Sequence, residues 1–258
     1  MTMRVGFAGA GNMAAAIAHG WASAGAGPES MLFCDIDVDR AVALASEVGG
    51  ETRTSLAELA GDVDVVVLAV KPAALDAVAE ELGGRAPALL SILAATPVAR
   101  IAEAFPGVPA IRVMPNQPVA VGRGVLCHVP PAADFPRDLA ERLLALLEPL
   151  GTVVAVEEER IDAAMAVMSC SPAYVALFAE ALAAGGEDEG LEPRLANDLV
   201  VGTLAGTADL LRIRDAAAIR SAVAPPGGAT EAGLEALERG GFSEAIEAAI
   251  RASLERFR

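Results

Sequence analysis

Val5-Gly6-Phe7-Ala8-Gly9-Ala10-Gly11-Asn12-Met13-Ala14 opens the chain, and its reading decides the fold. Small apolar residues run up to Ala8 as a short strand, glycines break it, and an Ala-rich helical segment follows over 14–24. Gly9, Gly11 and Ala14 fit the G-x-G-x-x-G/A pattern, the turn that seats a pyrophosphate on a helix N-terminus. Gly9 permits the tight turn, Gly11 lets the backbone approach the phosphates, and Ala14 keeps helix and strand close. Gly/Ala-rich sequence makes such a pattern by chance. Here it follows a strand and opens a helix, which is the context the function needs.

Strand and helix signals alternate downstream of this turn. Residues 31–35 read as a second strand and 38–48 as a helix ended by Gly49-Gly50. A short helix over 55–60 precedes 63–70, a β-branched run apolar enough for a strand buried on both faces. Lys71-Pro72 ends that strand, with Pro72 suited to a first helical turn. Further strands are expected over 89–94, 109–114, 124–128 and 152–156. Helices are expected after Pro97 and around Leu139, Leu143, Leu146 and Leu147. This alternation predicts an α/β N-terminal Rossmann domain, a mostly parallel doubly wound sheet, over 1–157.

The pattern changes after Glu157-Glu158-Glu159, and 158–258 carries no strand signal, predicting an all-α domain. Ser171 and Pro172 suit an N-cap and a first turn, with Val175, Phe178 and Leu182 at helical spacing. The segment 195–211 is apolar nearly all round, and too little chain remains to wrap it. Burial against a second copy follows, hence a homodimer or higher homo-oligomer through the C-terminal helices.

Composition bounds the chemistry. The 258 residues are 54% hydrophobic and 21% charged, the signature of a folded globular chain. A net charge of −16 argues against nucleic acid or an anionic membrane surface as partner. No apolar run is expected to reach the ~18 residues of a membrane helix. Three widely spaced cysteines, Cys34, Cys127 and Cys170, point to reduced thiols, a cytoplasmic location and no metal site. His19 and His128 are the only histidines and Lys71 the only lysine, so a His-based triad or metal cluster has little to draw on.

Two places bear on ligands. The second strand ends in Cys34-Asp35-Ile36-Asp37, about 20 residues beyond the glycines, where a dinucleotide's adenosine ribose is read. A carboxylate at Asp35 accepts from ribose hydroxyls and repels a 2′-phosphate, so NADH is expected over NADPH, although Arg40 stands nearby. At the other end, Pro225-Pro226-Gly227-Gly228-Ala229-Thr230 fixes a turn before a helix and aims backbone N–H groups outward, suiting a small carboxylate. Thr230 adds a hydroxyl there.

Taken together these residues resemble the pyrroline-5-carboxylate reductase family across nearly the whole chain. The resemblance is carried by Gly6 to Met13, Ala69-Val70-Lys71-Pro72, Arg112-Val113-Met114-Pro115-Asn116-Gln117-Pro118, Ser171-Pro172-Ala173-Tyr174, Pro226 to Thr230 and Gly240-Gly241-Phe242. It implies reduction of the cyclic imine 1-pyrroline-5-carboxylate to L-proline with NAD(P)H, at a site using residues of both domains and both subunits. By resemblance, Ala8, Gly9, Ala10, Gly11, Asn12 and Met13 line the dinucleotide. So do Ala69, Val70, Lys71 and Pro72, with Ser55 and Leu93, Ala94 and Ala95 nearby. Gly227, Gly228, Ala229 and Thr230 would hold the substrate carboxylate, with Ser171 and Asn116 as further contacts and Thr230 on the ring nitrogen.

The chain departs from the family at five places. Met168-Ser169-Cys170-Ser171 replaces Ser-Gly-Ser-Gly, Pro225 replaces a Ser, and Glu231 an apolar residue. Gln117 replaces a Thr, and Leu93-Ala94-Ala95-Thr96 stands for Ala-Ala-Gly-Val. These changes bear on the substrate, leaving reduction of a different imine, or dinucleotide binding without turnover, as the competing expectations. A hydroxyacid dehydrogenase needs a lysine on its interdomain helix, and none follows Lys71.

Overall fold

Eight strands and the helices between them make up most of the first two-thirds of the chain in the computed structural model, which describes residues 3–257. The strands are β1 (Arg4–Ala8), β2 (Ser30–Cys34), β3 (Glu51–Thr52), β4 (Val65–Leu68), β5 (Leu89–Ser91), β6 (Ala110–Pro115), β7 (Gly124–His128) and β8 (Gly151–Ala155). They lie in one sheet in the order β3-β2-β1-β4-β5-β6-β7-β8. Every pairing is parallel except β6 with β7. The chain winds outward from β1 in both directions, so β1 and β4 flank the switch point where doubly wound folds bind ligands.

The register explains the apolar runs. Val65 and Val67 join one core with Val5, Phe7 and Phe33, while Val66 and Leu68 join the other with Ala8 and Leu59. A strand covered on both faces needs apolar residues at every position. The first core packs the sheet against α1 (Asn12–Ala24), α2 (Val38–Val48) and α6 (Arg137–Leu147). Phe7 stacks on Phe33 at 4.9 Å, and Trp21 of α1 donates its Nε1–H to the Leu146 carbonyl at 2.9 Å. The second core holds α3 (Leu56–Asp62), α4 (Leu75–Leu82) and α5 (Val98–Ala104).

Two expected strands are shorter than the sequence suggested. The run 63–70 is paired only over Val65–Leu68, and 89–94 only over Leu89–Ser91. In each case the chain leaves the sheet at its carboxyl end, and apolar composition alone does not mark that exit.

By internal contacts the chain divides after Cys170, and Ser171–Glu255 forms a second unit. The short α7 (Ile161–Met168) belongs to the first, burying Ile161, Met165 and Met168 against Met114 and Cys127. The second unit contains α8 (Ser171–Asp188), α9 (Pro193–Leu210), α10 (Ala216–Val223), α11 (Ala229–Arg239) and most of α12 (Phe242–Phe257). Ser171 is the first residue of α8 and not a cap before it. Tyr174 and Ser253 share a 2.7 Å hydrogen bond that ties α8 to α12, and Phe178 meets Phe242 with ring centroids 6.1 Å apart.

The helical unit leaves much apolar surface uncovered. In α9, Leu195, Leu199 and Val201 are exposed and only Ala196 is buried. The stretch Glu158–Asp188 is long and apolar enough to cross a membrane by length and composition, contrary to the expectation from sequence. That stretch holds two helices separated by the turn at Ser169-Cys170, and the first of them contributes to a protein core.

Candidate active site

The carboxyl ends of β1, β2, β4 and β5 align, with Ala8 opposite Cys34 and Leu68, and Leu68 opposite Ser91. Gly9, Asp35 and Ala69 therefore emerge side by side. Gly9 takes φ +100°, and a Cβ there would sit 2.7 Å from the Ala69 carbonyl oxygen, so only glycine fits. Its N–H donates to the Cys34 carbonyl at 2.8 Å, and Ala69 N–H to the Ala8 carbonyl at 2.9 Å. The first helical bond of α1 runs from Ala15 N–H to the Gly11 carbonyl. The N–H groups of Asn12, Met13 and Ala14 thus start the helix without intrahelical acceptors. Gly11, the N-cap, makes no side-chain cap, and no acidic residue lies in the first turn. A Cβ on Gly11 would meet nothing in the protein, so that position stays open to a close approach from outside. Helix donors without intrahelical acceptors, a first turn free of acidic residues and an open glycine fit a pyrophosphate.

Asp35 is half-buried, and its carboxylate accepts from Ala10 N–H at 2.6 Å and from Asp37 N–H at 2.8 Å. One side chain pins the glycine turn to the loop after β2, a tie that nothing in local spacing announces. The surroundings are acidic. Burial first, then the charges of Glu81, Asp35 and Glu58, push the Cys34 thiol up to about 11. Arg40 is held by Asp37, Nη2 to Oδ2 at 3.0 Å.

The remaining expected cofactor contacts sit around the same edge. Ser55 caps α3, its Oγ accepting from Glu58 N–H at 3.2 Å. Lys71 and Pro72 are exposed and lead into a short helical turn, Pro72–Ala74. Leu93 is buried, whereas Ala94 and Ala95 are exposed. Ala95 has φ +51°, the only positive φ outside glycine among the described residues. It occupies the place where the family has glycine, and the side chain of Thr96 braces the turn by donating to the Ala94 carbonyl at 3.0 Å.

Asn116 follows the end of β6. It is buried, donates from Nδ2 to the Met168 carbonyl at 3.0 Å and accepts at Oδ1 from Val125 N–H at 2.8 Å. One of its two N–H donors and its oxygen join β6, β7 and the end of α7. Sequence reasoning missed a neighbouring pin: Arg112, 3% exposed, donates to Glu158 at 3.0 Å, and the same carboxylate oxygen accepts Val98 N–H at the start of α5. An arginine inside the apolar run Ala-Ile-Arg-Val-Met-Pro was the available signal, since a buried guanidinium demands a partner.

In the helical unit, Gly228 is the N-cap of α11, and Ala229, Thr230 and Glu231 form its first turn. Pro225 and Pro226 have no N–H, and Gly228 N–H donates to the Pro225 carbonyl at 2.9 Å. Gly227, at φ +75°, donates its N–H to the Glu231 carboxylate at 2.6 Å. The N–H groups of Ala229 and Thr230 remain for an outside anion, with the exposed Thr230 hydroxyl beside them. Ser171 is half-buried at the start of α8. No cluster of metal-ligating side chains occurs among the described residues.

Known proteins are similar to this chain in sequence and in fold. The family model for pyrroline-5-carboxylate reductase dimerisation matches residues 158–258, and one for NADP oxidoreductase, coenzyme F420-dependent, matches 4–95. A pyrroline-5-carboxylate reductase of Synechocystis is 41% identical over 203 residues, 77% of this chain and 76% of the relative. That of Mycobacterium tuberculosis is 32% identical over 282 residues, 98% of this chain and 95% of the relative. The crystal structure of Plasmodium falciparum pyrroline carboxylate reductase with NADP bound superposes with a TM-score of 0.86 at 26% identity, covering 99% of this chain and 97% of that one. With relatives matched over most of their length, a Rossmann unit and a helical unit in the same order, the chain belongs to the pyrroline-5-carboxylate reductase family.

Proposed function

We propose that this enzyme reduces 1-pyrroline-5-carboxylate to L-proline with NAD(P)H. The observation that carries the reading is the open, uncapped start of α1 behind Gly9 and Gly11, in a chain matched nearly end to end by reductases of this name. The N–H groups of Asn12 and Met13 hold the pyrophosphate. Ala8 to Gly11, Ala69 to Pro72, Ser55 and Leu93 to Ala95 line the rest of the cofactor's path. When bound, the nicotinamide supplies a hydride to the C=N carbon of the imine.

The chain's own residues position and polarise the substrate. Ala229 and Thr230 N–H groups hold the carboxylate, and the Thr230 hydroxyl hydrogen-bonds the ring nitrogen. A basic imine arrives partly protonated, so placement supplies most of the rate, which suits a site poor in lysine and histidine. Asn116 fixes the Met168 end of α7 with one amide N–H and keeps a second for the substrate, and Ser171 follows three residues after Met168. NADH is preferred to NADPH: Asp35, Glu58 and Glu81 surround the end of β2, and Asp37 engages Arg40. The exposed leucines and valines of α9 support homodimer formation, with cytoplasmic location favoured by the three free cysteines. The test is NADH oxidation with pyrroline-5-carboxylate, repeated with NADPH. Proline formed in step with NADH consumed, and a higher kcat/KM with NADH, support the reading. Dinucleotide binding without turnover on any cyclic imine refutes it.

A further inference from the structure

We propose that Glu231 sets the substrate range of this enzyme, because its carboxylate sits on the loop offered to the substrate's carboxylate and weakens the binding of carboxylate-bearing imines. The inference rests on the loop assignment under Proposed function. Its ground is the 2.6 Å hydrogen bond from Gly227 N–H to Glu231. A glutamate at the third position of a helix normally reaches back to the N-cap N–H, stabilising the helix start. Here that N–H, on Gly228, is already given to the Pro225 carbonyl, and Glu231 reaches one residue further to Gly227. With Pro225 and Pro226 lacking N–H groups, Gly227 is the first donor the loop has.

The loop therefore takes a carboxylate, and the one it takes is the chain's own. Glu231 is half-buried, and among the described residues no arginine or lysine pairs with it. An incoming carboxylate on the Ala229 and Thr230 N–H groups meets an unneutralised charge a few residues away. Imines without a carboxylate incur no such repulsion, and they still reach the Thr230 hydroxyl.

The experiment compares pyrroline-5-carboxylate with 1-pyrroline, the same ring lacking the carboxylate, on the intact enzyme and on Glu231→Gln and Glu231→Met. Glutamine keeps the size and an acceptor oxygen while removing the charge. KM for pyrroline-5-carboxylate is expected to fall about fivefold in both variants, a modest Coulomb term at a partly exposed site. KM for 1-pyrroline and for NADH should not move. Glu231→Asp, which keeps the charge, should retain the high KM. A purely helix-capping role predicts lower melting temperature and equal effects on both imines, and that result overturns the proposal, as does an unchanged KM for pyrroline-5-carboxylate. Thr230→Ala separates the two levels. If it lowers turnover of pyrroline-5-carboxylate while Glu231→Gln changes nothing, only the role of Glu231 fails. If it changes neither imine, the loop assignment fails and takes the proposal with it.

Discussion

Two of the glycine turns that open helices, Gly9–Gly11 and Gly227–Gly228, each have a carboxylate bound to them, but on opposite terms. At Gly9–Gly11 the carboxylate is Asp35, reaching from the end of β2 to Ala10 N–H, while the helix donors that follow remain open. At Gly227–Gly228 it is Glu231, within the helix itself, and it takes a donor of the loop. The first acid takes one donor of the turn, Ala10 N–H, and leaves the helix donors beyond it open. The second stands among the donors a ligand would use. Where a carboxylate attaches decides whether it prepares an anion site or opposes it.

Several substitutions break or sharpen this comparison. The largest effect is expected at the first turn: Gly9→Ala forces a side chain into φ +100° and against the Ala69 carbonyl. Stability should fall by about 2–5 kcal/mol, read by urea unfolding. Asp35→Ala leaves the Ala10 N–H without its charged acceptor, at a cost of about 1–3 kcal/mol. If bracing is the main role of Asp35, KM rises for NADH and NADPH alike. If ribose reading is its main role, NADH weakens and NADPH improves. Ala95→Gly relieves a left-handed alanine and should stabilise the protein by about 0.5–1 kcal/mol in thermal melts, a gain net of glycine's added chain entropy. The smallest effect is chemical. With its pKa pushed to about 11 by burial and acidic neighbours, Cys34 stays a neutral thiol at pH 8, and iodoacetamide should leave it unmodified in the folded protein. Rapid alkylation at that pH would contradict the acidic, closed surroundings assigned to the end of β2.

Local chemistry made much of the fold legible. The helix at Val38–Val48 and the strand at Gly124–His128 fall where periodicity and glycine place them. The strand at Val65–Leu68 is visible because burial on both faces demands an unbroken apolar run. Strand ends were less clear. Ile92 and Leu93 are as apolar as a strand residue, and an alanine gives no hint that it will adopt φ +51° two residues later. Long-range pins were hidden altogether. Asn116 finds Met168 and Asp35 finds Ala10, and neither partner stands at a spacing that a motif describes. The charge of Glu231 was plain in the sequence, but its attachment to Gly227 appears only once the helix start is built. The apolar stretch Glu158–Asp188 shows the reverse limit: composition alone runs together two helices that the chain keeps separate.

Steady-state kinetics of Thr230→Ala, with pyrroline-5-carboxylate and NADH varied in turn, bear most directly on the division of labour between the two turns. The account predicts that kcat/KM for the imine falls more than about tenfold (about 1.4 kcal/mol) while KM for NADH stays where it was. An unchanged rate, or a loss that appears equally in the NADH parameters, would contradict it.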